Sequence, residues 1–177
     1  MTYTVLSLDL GTNTGWALVQ DGVITESGIL SLPKPDKHHP GHRFITFSNW
    51  LRKYKTVNEI FHENVPRFES AKAAMVYCGL LAILQMFCLT QGIRMTSIMS
   101  KSVKKEFSGN GNSDKKMMCD VAHRIGWKGG HPSTDIAHDE CDAIATAWVI
   151  MQRREVTIKF KHEVDGENVE TGNAAIA

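Results

Sequence analysis

The stretch Val5-Leu6-Ser7-Leu8-Asp9-Leu10-Gly11-Thr12-Asn13-Thr14-Gly15-Trp16-Ala17-Leu18-Val19 decides the fold. An apolar run of strand length ends in a carboxylate, Asp9. A turn framed by Gly11 and Gly15 follows, and a second apolar run leads away from it. A strand that stops at a carboxylate and turns back through glycine presents that carboxylate at a sheet edge. Working outward, Asp21-Gly22 is a strong hairpin signal between the second run and a third. Strands are therefore expected over 3–10, 14–20 and 23–32, paired as an antiparallel meander.

Beyond the meander the pattern alternates. Pro33 to Gly41 is a loop by composition. Phe44, Phe47, Trp50, Leu51 and Tyr54 recur at helical spacing, which predicts a helix over 43–55. A fourth strand over 58–65 is stopped by Pro66. A long, mostly apolar helix over 69–91 is ended by Gly92. A fifth strand over 94–99 leads into helical pieces at 100–108 and 113–125, joined by Gly109-Asn110-Gly111-Asn112. A Gly/Pro loop over 126–135 precedes a final helix over 136–154. The order β-β-β-α-β-α-β-α-α implies an α/β fold: a five-stranded mixed sheet with helices on both faces. Residues 1–154 read as one domain. Residues 155–177 read as an extension with a possible strand at Glu155–Phe160 and a fraying tail.

The bulk numbers fit a single domain: 177 residues, 42% hydrophobic and 22% charged. The longest apolar candidate, Gly79 to Leu89, contains Gln85 and falls short of the ~20 residues that span a bilayer, so no membrane partner is expected. With no secretion signal, a cytoplasmic location is expected, in a bacterial or phage-infected cell. Cys78, Cys88, Cys119 and Cys141 form no Cys-x-x-Cys pair and read as reduced, mostly buried thiols. The net charge of +1 announces no nucleic acid, but its distribution does. Between Lys101 and Lys128 seven Lys/Arg are opposed only by Glu106, Asp114 and Asp120. A local basic patch can serve as a phosphate footprint.

Two further acidic sites accompany Asp9. Glu63 ends the fourth strand, and a parallel placement beside the first strand would put both at the carboxyl edge, where open α/β sheets build their sites. Asp139 and Asp142 stand i, i+3 near the start of the last helix, on one face. Ala143, Ala147 and Ile150 continue a packing face, which sets the two aspartates at the border of core and solvent. Crowded carboxylates repel, and Mg²⁺ or Mn²⁺ relieves the repulsion because hard cations prefer carboxylate and water oxygens. Two such ions ~4 Å apart can activate a water and stabilise a leaving oxygen in phosphodiester cleavage. His62 should face away from Glu63 by strand alternation. His138 stands beside Asp139, either assisting proton transfer or serving structure. His38, His39 and His42 read as solvent-exposed loop residues.

These motifs resemble the RuvC-type Holliday junction resolvases of the ribonuclease H-like nucleases. Leu8-Asp9-Leu10-Gly11 with Thr14-Gly15-Trp16-Ala17 is similar to the family's first motif. His62-Glu63-Asn64-Val65 is similar to the second, and Asp139-Glu140-Cys141-Asp142-Ala143 to the third. Val103-Lys104-Lys105, Gly109-Asn110-Gly111 and Lys115 resemble its Val-Lys, Gly-x-Gly and Lys stretch. The resemblance spans roughly Val5 to Met151. It implies a ribonuclease H-like fold and a homodimeric, Mg²⁺-dependent endonuclease that makes paired nicks in four-way DNA, leaving 5′-phosphate and 3′-hydroxyl ends. Asp9, Glu63, Asp139 and Asp142 would be the ligands of two ions. Lys104 and Lys115 would lie near the scissile phosphate, with Lys105 and Lys116 also on the DNA. Where the family often carries a junction-entering aromatic, this chain has Pro66 and then Phe68, which is either a wedge or a core residue. The 69–91 helix is either a dimer face or a buried central helix.

Three rivals remain. Asp9-Leu10-Gly11-Thr12 also matches the phosphate loop of actin-like ATPases and sugar kinases, but those need a second similar domain. A related small nuclease that trims ribosomal RNA precursors favours Arg where this chain has Thr14. A non-catalytic DNA-binding protein would need only the basic segment, not the full carboxylate set.

Overall fold

The computed structural model describes residues 2–68, 70–129 and 135–165, with side chains described from 138 onward in the last of these. The strands are β1 (Thr4–Asp9), β2 (Asn13–Gln20), β3 (Val23–Ser31), β4 (Glu59–Asn64), β5 (Arg94–Met99) and β6 (Lys159–Phe160). They form one sheet in the order β5-β4-β1-β2-β3-β6. The meander β1-β2-β3 is antiparallel, while β4 lies parallel to β1 and β5 parallel to β4. Asp21 and Gly22 both take positive φ, 48° and 83°, which is the two-residue turn their sequence predicts.

The helices are α1 (His42–Leu51), α2 (Ala71–Gln91), α3 (Ser100–Ser108), α4 (Lys115–Arg124) and α5 (Asp135–Gln152). Their ends follow local chemistry. Ser70 Oγ accepts the amide of Ala73 at 3.1 Å and starts α2, and Gly92 closes it. Asp114 caps α4 by accepting the amide of Met117 at 2.8 Å, so the helix begins two residues after the expected start at 113.

Strand alternation divides the core. Leu6, Leu8, Leu18 and Ile60 pack with Phe47 and Leu51 of α1 and with Tyr77, Leu80 and Leu84 of α2. Val5, Ala17, Val19 and Phe61 pack on the other face with Val103, Phe107, Met118 and Ile144 from α3, α4 and α5. Helices thus cover both faces, as an α/β sheet buried on both sides requires.

Two expectations need correcting. The sheet has six strands rather than five. The sixth is only two residues long, too short for a periodic signal, and pairs parallel with β3 inside the expected 155–160 segment. Ile158 and Phe160 join the core there, and residues 166–177 lie outside the described residues. Secondly, α2 is by length and composition apolar enough to cross a membrane, because its 21 residues form one uninterrupted helix wider than the Gly79–Leu89 run. Only 28% of its most apolar stretch is buried, and Met75, Met86 and Leu89 are exposed. The cysteines are free thiols and mostly buried, as expected: Cys88, Cys119 and Cys141 are buried and Cys78 is exposed.

The far end of the sheet is locked by charge. Glu59, fully buried at the start of β4, accepts two hydrogen bonds of 2.9 Å from Arg154, just past the end of α5. Tyr3 and Thr96 hydroxyls donate to the same carboxylate. Burial alone would raise the Glu59 pKa, but these bonds outweigh it and hold it at about 2. Its contribution to stability is present above the unfolded pKa near 4.5 and is lost as pH falls through about 2. Replacing Arg154 by Met removes the bidentate partner of a buried carboxylate, leaving the Tyr3 and Thr96 hydroxyls and Arg94 at 3.8 Å, and is expected to cost roughly 3 kcal/mol in chemical denaturation. An unchanged midpoint would show that the pair does not anchor α5.

Candidate active site

Asp9 and Glu63 meet because β1 and β4 are parallel and in register. Leu8 pairs with His62, so the next residues along, Asp9 and Glu63, emerge side by side at the carboxyl edge. Val5 and Ser7 face α5, and alternation turns Asp9 the same way. Glu63 follows Phe61 onto that face, while His62 turns from it and is buried, its Nδ1 3.0 Å from the Glu63 carbonyl oxygen. Burial holds the His62 pKa below its ordinary value.

The other two carboxylates arrive on α5, whose seat depends on Gly15. Gly15 pairs with Asp9 across the β1-β2 ladder. A Cβ at Gly15 would lie 1.7 Å from the Asp139 carbonyl oxygen and 2.8 Å from the Glu140 nitrogen. Only glycine lets the α5 backbone rest on β2 at this point. Ser7 Oγ donates to the Ala143 carbonyl at 2.8 Å one turn further on. Asp139 and Asp142 are both part-exposed, while Ala143, Ala147 and Ile150 are buried, as the spacing predicts.

The carboxylates feel one another. Burial, then the charges of Asp142, Glu63 and Asp139, hold the Asp9 carboxyl well above the usual range, and Lys115 pulls it back. Burial raises Glu63 against hydrogen bonds from Ser100 and Thr146 and the charge of Lys104. Burial, followed by Glu63 and Asp139, pushes Asp142 up to about 7, with Lys104 and Lys115 opposing. Thus Lys104 on α3 and Lys115 on α4 both reach the cluster. Lys105 and Lys116 are exposed, and Lys105 lies beside Glu106.

Sequence reasoning missed the residues that hold Glu63. Thr146 Oγ1 donates to Glu63 Oε1 at 3.3 Å, Ser100 bonds the same carboxyl, and Tyr77 Oη donates to the Glu63 carbonyl at 2.7 Å. Thr146 stands four residues after Asp142, so helical spacing alone would have placed it on the aspartate face. His138 is buried, and Phe68 is partly buried with its ring 5.2 Å from that of Tyr77.

The donor set is suited to a hard divalent cation. It is all oxygen, and its charge is costly as it stands. Among the described residues no three His, Cys, Asp or Glu side chains already sit at coordinating spacing. The fit therefore rests on the chemistry and mutual electrostatics of the carboxylates.

Solved structures with this architecture exist. Thermus thermophilus RuvC in complex with a Holliday junction substrate superposes with a TM-score of 0.64 at 17% identity, over 87% of this chain and 97% of that one. A further Thermus thermophilus RuvC structure gives 0.61 at 15% identity, over 86% and 97%. The yeast mitochondrial Holliday junction resolvase Ydc2 gives 0.59 at 16% identity, over 81% and 75%. The fold is therefore the RuvC, ribonuclease H-like one. No protein-family model and no curated protein sequence matches the chain.

Two outcomes test this geometry. Because the folded pKa of Asp142 is raised to about 7, the cation-free protein should lose stability as pH rises from the unfolded value near 4 through 7. Melting in EDTA at about pH 5.5 and about pH 8 should show the drop, and Asp142→Asn should shrink it. A flat profile contradicts the crowding. Gly15→Ala should cost roughly 1–3 kcal/mol in denaturant titration by lifting the start of α5. A variant as stable as wild type would mean that α5 does not depend on this contact.

Proposed function

We propose that this chain is a metal-dependent endonuclease acting on branched DNA, with the four-way Holliday junction as its principal substrate. The observation that carries the reading is the convergence of Asp9, Glu63, Asp139 and Asp142 from β1, β4 and α5, opposed by Lys104 and Lys115. The likeness to RuvC, solved in complex with a Holliday junction substrate, and to the Holliday junction resolvase Ydc2 supports the same substrate. The four carboxylates would hold two Mg²⁺, or Mn²⁺ in their place. When bound, the ions supply Lewis acidity toward the phosphate and lower the pKa of water.

The chain's own groups do the rest. Lys104 and Lys115 bind phosphate beside the carboxylates and offset the charge that develops on its oxygens. Lys105 and Lys116 extend the cationic track along the strand. Phe68, part-buried against the ring of Tyr77 on the other face of the sheet, supplies an aromatic face for an unstacked base where the strands part. Thr146, Ser100 and Tyr77 are positioning residues that fix Glu63. A homodimer suits a substrate with near two-fold symmetry, and the exposed Met75, Met86 and Leu89 of α2 offer its apolar face.

One cleavage assay decides the reading. Labelled four-way junction, three-way junction, flap and linear duplex are incubated with Mg²⁺ or EDTA. Paired, Mg²⁺-dependent nicks in the four-way junction are expected. Asp9→Asn should lower cutting by roughly 100-fold or more with binding retained. Lys104→Ala and Lys115→Ala should each reduce the salt slope of binding by about one. Undiminished cutting by Asp9→Asn would remove the site assignment.

A further inference from the structure

A groove of about 570 Å³ opens on the opposite face of the sheet from the carboxylates, at the same carboxyl edge. Gly11 and Thr12 of the β1-β2 turn line it, with Lys34, Arg43, Phe68 and Lys72. Arg43 is the informative residue. It is 4% exposed and occupies the core face of α1, in line with Phe47 and Leu51, where an apolar side chain would pack. Among the described residues its Nε has no hydrogen-bond partner. A buried donor without an acceptor is costly, and a guanidinium cannot shed its charge.

The surroundings repeat the sign. Arg43 is in the first turn of α1 and Lys72 in the first turn of α2, each at the positive end of a helix macrodipole. Neither helix carries an acid in that turn. Both starts line the groove, and Lys34 adds a third cation from the β3-α1 loop. The carboxylate of that loop, Asp36, accepts the amides of His38 and His39. Glu69 lies outside the described residues. Two helix starts and three cations, one of them a buried guanidinium, together fit a phosphate, whose oxygens accept from such donors.

We propose that this groove is a second phosphate site, which takes one backbone phosphate of the strand engaged at the carboxylates. DNA as the source of that phosphate rests on the function proposed above. Gly11 and Thr12 follow Asp9 by two and three residues, so at most about 7–11 Å of chain separates groove from site. A neighbouring phosphate of the same strand is within that reach. The groove would then fix strand register beside the cut without reading sequence.

The test replaces single phosphates of a four-way junction by uncharged methylphosphonates and measures binding by the full chain in EDTA. One position within a few nucleotides of the cut should weaken wild-type binding by roughly tenfold. At that position Arg43→Met should show no penalty, and neither should the exposed-residue pair Lys34→Ala with Lys72→Ala, which keeps the test open should the Arg43 variant fold poorly. A penalty that persists undiminished in the folded variants overturns the proposal. A second arm compares wild-type melting in inorganic phosphate and in chloride at matched ionic strength. If wild type binds no branched DNA, the endonuclease reading fails and the DNA phosphate with it. A phosphate-induced rise in melting, lost in the variants, would then identify free phosphate as the ligand instead.

Discussion

The seating of α5 on the sheet is the constraint on which the rest depends. Its backbone at Asp139 rests on Gly15, where any side chain would collide. Ser7 ties its middle to β1, and Arg154 beyond its end is drawn to the buried Glu59 of β4. These contacts set the height and the tilt of a helix that delivers two carboxylates to the ends of two parallel strands. Without the close approach at Gly15, Asp139 and Asp142 would stand off from Asp9 and Glu63. The local fold and the candidate site are in this sense one feature.

The seating gathers negative charge in a place short of water. Burial and mutual repulsion both act to keep Asp9, Glu63 and Asp142 protonated. Lys104 and Lys115 offset part of that cost from α3 and α4. Stability alone would favour apolar residues at such an edge. The arrangement makes physical sense as a poised cation site, in which binding energy of the ion relieves repulsion built into the fold.

Much of this was legible in the chain, for identifiable reasons. Asp21-Gly22 and Gly92 act through local backbone chemistry, so the turn and the helix end they set fall where their residue types predict. The caps Ser70 and Asp114 start their helices two residues after the expected 69 and 113. The parallel placement of β4 beside β1, which the sequence alone left conditional, is present in the sheet and brings Asp9 to Glu63. The i, i+3 spacing of Asp139 and Asp142 needed only helical geometry. What was not legible depends on partners distant in sequence. The role of Gly15 as a seat for α5, rather than as a turn residue, requires knowing what lies above it. Nothing in the sequence marks Arg43, whose burial appears only once α1 is packed. The two-residue β6 has no period to read. The apolar surface of α2, wider than one core contact needs, was readable from its composition, but which residues stay exposed, Met75, Met86 and Leu89, was not.

The central claim is that the carboxylates at the ends of β1 and β4 and on α5 form one divalent-cation centre. Anomalous diffraction from crystals of the protein soaked in Mn²⁺ addresses it most directly. The account predicts anomalous peaks between Asp9, Glu63 and the Asp139/Asp142 face of α5, lost in Asp9→Asn. Peaks elsewhere on the surface, with none between these carboxylates, would contradict it.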